Sequence, residues 1–149
     1  MTAAYAGIAN RGFYFNPSPF EEITGPGDIL LWSRESKKTQ GKRALKENVA
    51  DIMNWMLQRV VNDGTGIAAS LEDRPVAGKT GTSEGNRDLW FIGSIPQLTT
   101  GIWFGYDNNQ KTKSGSGEAA WAWKQFMSKI KNEFEVLNFP KKPNETEHD

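Results

Sequence analysis

The apolar positions of the chain fall into three helical segments and a group of short strands. Apolar residues recur every three or four positions in residues 2–11, 45–61 and 118–135, which is the spacing of an amphipathic helix. Gly12 and Gly64 follow the first two segments, and a glycine in this place commonly closes a helix. The two longer apolar stripes consist of Leu45, Val49, Ile52, Met53, Met56 and Val60, and of Trp123, Phe126, Met127, Ile130 and Phe134.

Three strands are predicted between the second and third helices, at about 75–83, 87–95 and 98–107. Pro96-Gln97 is a tight link, so the last two strands should pair antiparallel. Both of these strands are apolar on both alternating faces, which predicts that both faces are covered. The predicted fold class is therefore α+β, with a three-stranded antiparallel meander packed on the C-terminal helix.

The remaining segments are predicted to be short or irregular. A hairpin should form in residues 21–32, because Gly25-Pro26-Gly27 favours a turn between two apolar runs. The irregular segments are 13–20 and the polar, basic loop 33–44. The polar and charged tail at 140–149 is predicted to be disordered, which leaves one domain over residues 1–139.

Composition excludes several classes of function. Basic and acidic residues each number 18, so the neutral chain offers no electrostatic attraction for nucleic acid. The absence of cysteine excludes disulfides and thiolate nucleophiles, and the one histidine, His148, lies in the acidic tail. We therefore expect no metal site, no histidine-dependent triad and no cofactor. No apolar run approaches the roughly 20 residues of a membrane span, and no basic N-terminal segment indicates a signal peptide.

Residues 77–83 collect polar groups directly before the apolar strands. Their sequence, Ala-Gly-Lys-Thr-Gly-Thr-Ser, contains a lysine, three hydroxyls and two glycines. A phosphate loop is rejected, because Asp73 stands where that motif needs a glycine and no helix follows. The loose match to a dinucleotide-binding fingerprint at Gly64 follows a helix rather than a strand, and is rejected as well.

The same segment has the properties of an edge strand that binds an extended ligand. Side chains alternate along a strand, so Lys79 and Gly81 should point one way, and Thr80 and Thr82 the other. A free edge offers backbone groups to an extended peptide, and Gly81 lacks the side chain that would block its approach. Lys79 supplies positive potential for a carboxylate, and a neighbouring N–H can stabilise an oxyanion. The alternative is a polar edge strand whose lysine only prevents aggregation.

Lys79-Thr80-Gly81-Thr82 resembles the third signature motif of penicillin-binding proteins and active-site serine β-lactamases, whose other motifs are S-x-x-K and S-x-N. With its neighbours, it resembles the C-terminal half of the transpeptidase domain of class A penicillin-binding proteins. The likeness covers about residues 1–130. The further matching segments, in the family's order, are Ala3-Ala4-Tyr5-Ala6, Ala9-Asn10-Arg11-Gly12, the stretches 60–66 and 74–82, and Asp88-Leu89-Trp90-Phe91-Ile92-Gly93.

The resemblance implies a partial penicillin-binding-protein or serine β-lactamase-like fold and a particular chemistry. In this family a serine is acylated by the D-Ala-D-Ala end of a peptidoglycan stem peptide, or by a β-lactam. Lys79 would polarise the S-x-N serine and attract the substrate carboxylate, which Thr80 and Thr82 would bind. The Thr82 N–H would be one oxyanion donor. The residues expected to brace this strand are Asp88, Trp90 and Phe91.

The match lacks the reactive serine. No Ser-x-Asn occurs in the chain, and its one Ser-x-x-Lys, Ser128-Lys129-Ile130-Lys131, follows the K-T-G strand instead of preceding it. Lys124, Ser128, Lys131 and Glu135 share the predicted solvent face of the C-terminal helix, so we interpret this match as coincidence. We expect the C-terminal part of a transpeptidase domain, inactive without the remainder of that domain. The alternative is a non-catalytic peptide- or partner-binding module that uses the strand edge.

The resemblance also makes predictions about the sheet and the cellular location. The family's sheet is completed by two N-terminal strands that this chain lacks, so the strand at 98–107 should have an unpaired edge. Alternatively, that edge pairs with a second copy, giving self-association, or with residues 23–32. The parent protein is expected to be membrane-anchored, with this domain on the extracytoplasmic or periplasmic side.

Overall fold

Two groups of strands separate three helices in the computed structural model, which describes residues 1–34 and 41–143. The helices are α1 (Thr2–Ala9), α2 (Glu47–Asn62) and α3 (Ser116–Ile130). The strands are β1 (Phe13–Tyr14), β2 (Glu22–Thr24), β3 (Leu30–Ser33), β4 (Lys42–Arg43), β5 (Ala77–Thr82), β6 (Asp88–Ile95) and β7 (Leu98–Gly105). The predicted α+β class and all three predicted helices are confirmed.

The predicted meander forms the central sheet, in which the strand order is β5-β6-β7 and both pairings are antiparallel. Ile95 and Leu98 pair directly, so Pro96 and Gln97 form the two-residue connection that the sequence predicts. β5 and β7 are therefore the outer strands. No strand in the described ranges pairs with the free edge of either, and the unpaired edge predicted for residues 98–107 is present.

Helix α3 covers one face of this sheet. Side chains alternate along β6, so Phe91 points toward α3, where its ring meets the ring of Trp123 edge-on with 5.5 Å between centroids. Both side chains are fully buried. The larger core cluster forms around this pair, and its buried members are Val61, Ala69, Leu71, Val76, Phe91, Ile95, Ala119, Ala120, Trp123 and Met127.

A smaller core cluster lies on the opposite face of the sheet. It joins Leu57 of α2, Ala77 at the start of β5 and Phe139 from the segment after α3. Three residues of α1 pack against it, namely Tyr5, Ile8 and Ala9. Because α2 contributes Val61 to one cluster and Leu57 to the other, it lies alongside β5 and links the two layers.

Helix α2 forms as predicted, but its buried face is not the apolar stripe read from the sequence. Met56 of that stripe is 50% exposed. The buried positions are Ala50, Asp51, Asn54, Leu57 and Val61. Asn54 donates a 2.9 Å hydrogen bond to the Ile8 carbonyl at the end of α1, and Asp51 accepts two hydrogen bonds from Arg11. Polar side chains occupy this face because they bind α1 and the turn that follows it.

Helix α3 is shorter than the predicted range of 118–135, since it ends at Ile130. Trp123 and Met127 are buried as predicted. Phe126 is 44% exposed, because the buried face of the helix is occupied by small residues and these two large ones. Phe134 lies beyond the helix and packs, partly buried, against the larger core cluster.

The prediction that both faces of β7 are covered is wrong. Trp103 and Phe104 are each 40% exposed, whereas the central strand β6 is buried over most of its length. β7 lies at the margin of the sheet, so the helices that cover β6 reach only part of it. The alternative in which residues 23–32 pair with this edge is also wrong, since β2 and β3 pair with each other.

The hairpin predicted around Gly25-Pro26-Gly27 is confirmed as β2 and β3, joined through a short 3-10 turn at Pro26–Asp28. The strands β1 and β4 were not predicted, and they pair with each other within segments expected to be irregular. Each has only two residues and its partner is distant in sequence, so local periodicity does not reveal it.

The disorder of the tail at 140–149 stays a prediction. Residues 140–143 are described, and the Lys142 ammonium lies 4.9 Å from the centroid of the Trp55 ring. Residues 144–149, with His148, lie outside the described residues, as does 35–40 of the predicted loop. Within the described ranges, no helix is both long and apolar enough to cross a bilayer.

Candidate functional site

Lys79 lies on β5 with an exposed side chain, on the face of the sheet opposite to Phe91. Its ammonium donates a 2.9 Å hydrogen bond to the carbonyl oxygen of Thr80. A lysine ammonium is a compact charge on a flexible stem, so it can exchange this carbonyl for a stronger acceptor such as a carboxylate. The strand therefore presents a cation close to its own free edge.

The ladder between β5 and β6 determines which backbone groups face that edge. The Ser83 N–H donates to the Asp88 carbonyl at 3.0 Å. Hydrogen-bonded and non-bonded pairs alternate in an antiparallel ladder, so the N–H and C=O groups of Thr80 and Thr82 point away from β6. The contact between Lys79 and the Thr80 carbonyl agrees with this direction. Outward donors and acceptors two residues apart are what an extended ligand can pair with.

Thr80 carries its hydroxyl on the side of the sheet that faces α3. The residue is 8% exposed, and its hydroxyl forms a 2.7 Å hydrogen bond with the hydroxyl of Thr65. Thr65 lies in the turn after α2, between Gly64 and Gly66. From the sequence, this turn was interpreted as the end of a helix and as part of the family resemblance, and Thr65 was given no role. A threonine between two glycines was the sequence feature that could have indicated a functional hydroxyl at this position.

The two glycines of β5 have different surroundings. A Cβ at Gly78 would lie 2.5 Å from Cζ of Phe91 and 2.9 Å from the Ile92 carbonyl oxygen, so packing requires a glycine there. A Cβ at Gly81 would meet only the Cβ of Trp90, at 3.4 Å. The protein's own packing therefore leaves space beside Gly81, on the same face as Lys79.

The three residues expected to brace the strand make contacts around it. One carboxylate oxygen of Asp88 accepts from the Ser83 hydroxyl at 2.9 Å, and the other accepts from the Trp103 indole N–H at 3.0 Å. Trp90 lies beside Trp103, with 6.3 Å between ring centroids. Phe91 is buried beneath β5. These contacts join all three strands near the K-T-G segment, and the bracing role stays a prediction.

The single Ser-x-x-Lys match does not form a nucleophile and base pair. Ser128 is exposed on α3, and Lys131 lies in the 3-10 turn that follows the helix. The Lys131 ammonium binds Asp73 at 2.8 Å, so the prediction that it shares a solvent-facing helical stripe with Ser128 is wrong. Across residues 1–34 and 41–143, no group of three or more acidic or histidine side chains is placed to hold a metal ion.

Residues 1–128 match the family model of the penicillin binding protein transpeptidase domain. This match covers most of the chain, and the chain belongs to that family, as its motifs predict.

Two bacterial relatives show how much of a complete protein this chain represents. Penicillin-binding protein 1A of Clostridium acetobutylicum is 34% identical over 129 residues, which cover 85% of this chain and 16% of the relative. Penicillin-binding protein 1A of Aquifex aeolicus is 35% identical over 133 residues, which cover 87% of this chain and 18% of the relative. The chain thus spans less than a fifth of the length of these relatives.

Solved structures of the family share the fold. The penicillin-binding protein PonA1 of Mycobacterium tuberculosis superposes with a TM-score of 0.80 at 24% identity, over 96% of this chain and 40% of that one. Penicillin-Binding Protein 1A of Haemophilus influenzae gives 0.77 at 21% identity, over 95% of this chain and 27% of that one. The expected penicillin-binding-protein-like fold is confirmed.

Proposed function

We propose that this chain forms the K-T-G side of a peptidoglycan D,D-transpeptidase site. In such a site, a serine from another part of the domain is acylated by the D-Ala-D-Ala end of a stem peptide, or by a β-lactam. The observation that carries the proposal is the free edge of β5, where the Lys79 ammonium binds the outward carbonyl of Thr80 and the N–H of Thr82 points out of the same edge. Membership of the transpeptidase family supports it.

The reaction proceeds through an acyl-serine. The serine Oγ adds to the carbonyl of the penultimate D-Ala and loses its proton to a base, the peptide bond breaks, and the terminal D-Ala leaves with a proton. An amine of a second stem peptide then displaces the serine and forms the cross-link. Negative charge develops on the attacked carbonyl oxygen, and the Thr82 N–H would stabilise it together with the N–H of the nucleophile.

The terminal carboxylate of the substrate would lie along the free edge of β5, with Lys79 on one face of the sheet and Thr80 on the other. The ammonium of Lys79 supplies the opposite charge, and it also polarises the second serine of the family's site. Either hydroxyl of the Thr65–Thr80 pair can be the donor, and when Thr65 donates, the Thr80 proton remains for the carboxylate. Thr65 would therefore orient Thr80, and the space beside Gly81 would admit the peptide backbone.

The first experiment tests whether the nucleophile lies outside this chain. We expect the isolated chain, incubated with a fluorescent penicillin and separated under denaturing conditions, to carry no label. A stable covalent adduct on the isolated chain would contradict this part of the proposal, because a nucleophile would then be present within it.

The second experiment tests the K-T-G side itself in a chimaera, in which residues 1–128 replace the matched segment of the Aquifex aeolicus relative. Once circular dichroism shows that the chimaera is folded, we expect fluorescent penicillin to label it. Lys79→Ala should slow labelling by on the order of 10² to 10³, the usual cost of losing one charge-stabilising group. Lys129→Ala, an exposed lysine on α3, is the matched control. Equal rates for Lys79→Ala and the parent chimaera would overturn the proposal.

A non-catalytic peptide-binding module is the second candidate function, and the outward backbone groups of β5 favour it as well. A D-Ala-D-Ala peptide is titrated into the isolated chain, its Lys79→Ala variant and the chimaera, with calorimetry as the readout. Binding by the isolated chain that depends on Lys79 favours the module. Binding by the chimaera alone favours the transpeptidase.

Two further expectations accompany the proposal. The complete protein is expected to be membrane-anchored, with this domain on the extracytoplasmic side, where peptidoglycan is cross-linked. The free edge of β7 is expected to pair either with another part of the domain or with a second copy of the chain, because unpaired N–H and C=O groups template strand addition.

A further inference from the structure

The segment after α3 crosses the end of the sheet at which β5 begins. We call residues 131–142 the C-terminal strap, and they lie outside residues 1–128 that match the family model. The strap starts on the face of the sheet covered by α3 and reaches α2 on the other side, through Phe139 and Lys142. It therefore touches both layers that enclose β5.

The strap is first anchored to the segment directly before β5. The Lys131 ammonium binds Asp73 at 2.8 Å, and Arg74 donates a 3.2 Å hydrogen bond to the carbonyl of Phe134. Arg74 is 8% exposed and also binds Asp73, so its charge is paired within the protein. Arg74 and Asp73 lie three and four positions before Ala77, the first residue of β5.

The strap is anchored again at two points further along. Gln97, in the turn between β6 and β7, donates a 2.7 Å hydrogen bond to the carbonyl of Glu135. Phe139 is 7% exposed and packs with Leu57 of α2 and Ala77 of β5. By contrast, the two apolar residues before it are largely exposed, Val136 at 53% and Leu137 at 40%. Phe134 packs, partly buried, against the larger core cluster, whereas Phe139 is the strap side chain that is buried most deeply.

We propose that the C-terminal strap positions β5, and that Phe139 is the positioning residue through which it acts. Among residues 1–34 and 41–143, no strand pairs with the free edge of β5, so its place depends on β6 and on packing against α2 and the strap. Ala77, which lies in the same buried cluster as Phe139, is two residues before Lys79. The inference concerns the placement of the strand and holds for whichever ligand the strand receives.

Hydrogen exchange of single amides in the full chain tests the proposal. The alternation of the ladders directs the amides of Lys79 and Gly81 into β6, and those of Phe91 and Gly93 into β7. We expect Phe139→Ala to accelerate exchange at Lys79 and Gly81 by about ten-fold more than at Phe91 and Gly93, because local opening affects only the released segment.

Two variants separate positioning from a general loss of stability. Phe139→Leu keeps an apolar side chain at the anchor and should restore slow exchange in β5, whereas Val136→Ala removes an exposed strap residue and should change nothing. If Phe139→Ala does not fold, Phe139→Val replaces it in the same comparison. Equal acceleration at all four amides, or no acceleration in β5, would overturn the proposal.

Discussion

β5 and β7 are the two outer strands of one sheet, and their burial is the reverse of what their side chains suggest. β5 is rich in glycine and polar residues, yet Ala77, Gly78 and Thr80 are buried. β7 carries large aromatic residues, yet Trp103 and Phe104 are 40% exposed. The polarity of a strand's own residues therefore does not decide how deeply an outer strand is buried in this protein.

The difference arises from the neighbours of each strand. The missing side chain of Gly78 lets the Phe91 ring lie directly against β5, and α2 packs alongside. The buried hydroxyl of Thr80 is paired with Thr65, so its burial leaves no unsatisfied group. Such packing holds β5 in a defined place while its free edge stays open. A ligand-binding strand needs both properties, because precise positioning depends on locked neighbours.

Removing the aromatic ring that supports β5 should have the largest effect on stability. Phe91→Ala should lower the free energy of unfolding by about 3–5 kcal/mol, the usual cost of truncating a buried phenylalanine. Phe104→Ala on β7 should cost about 1–2 kcal/mol, because 40% of the residue is already in water. Urea denaturation of both variants measures the difference. Equal losses of unfolding free energy would show that the β5 and β7 edges of the sheet are equally well packed.

Two glycines provide a finer comparison. Gly78→Ala should destabilise the chain by about 1–3 kcal/mol, since its Cβ would clash with the Phe91 ring and a rigid backbone carbonyl. Gly101→Ala on β7 should cost less, about 1 kcal/mol or below, because its one close neighbour, Thr2 Oγ1 at 2.7 Å, is a side-chain atom that can shift further than a backbone carbonyl. Thermal melting of both variants measures the loss of stability. A larger loss for Gly101→Ala would contradict the expectation that β5 is packed more tightly than β7.

The ion pair beside β5 should have the smallest effect, and one that depends on pH. The hydrogen bond from Lys131, opposed in part by burial and reinforced by Arg74, lowers the pKa of Asp73 from 3.8 to about 2. A lowered folded-state pKa stabilises the fold above the unfolded pKa, and this contribution is lost as pH falls from about 4 to about 2. Because Asp73 is partly exposed, we expect Asp73→Asn to cost about 1 kcal/mol or less at neutral pH.

Urea denaturation at neutral pH and at about pH 2 tests the sign of this effect. The difference between Asp73→Asn and the parent chain should shrink toward zero at the lower pH. Asp107→Asn, in the exposed loop after β7, is the control for a general loss of acidic side chains. A difference that grows on acidification would mean that the Asp73 carboxylate does not stabilise the fold through its cationic partners.

Local sequence features determined the positions of the helices, one strand pairing and the family of this protein. The period of the apolar residues located all three helices, and the two-residue link at Pro96-Gln97 determined the antiparallel pairing of β6 and β7, since so short a link can join only adjacent strands. The K-T-G segment and its ordered neighbours indicated the family. These features could be read because each depends on residues that are close in sequence.

Only the tertiary structure decided which surfaces are buried and which distant residues meet. The buried face of α2 carries Asn54 because the Ile8 carbonyl lies opposite, and a hydrophobic pattern cannot record a polar partner 46 residues away. Thr65 reaches Thr80, and Phe139 reaches Ala77, for the same reason. Burial and hydrogen bonding depend on the groups brought together in space, whereas periodicity reports only the residue's own polarity and its near neighbours.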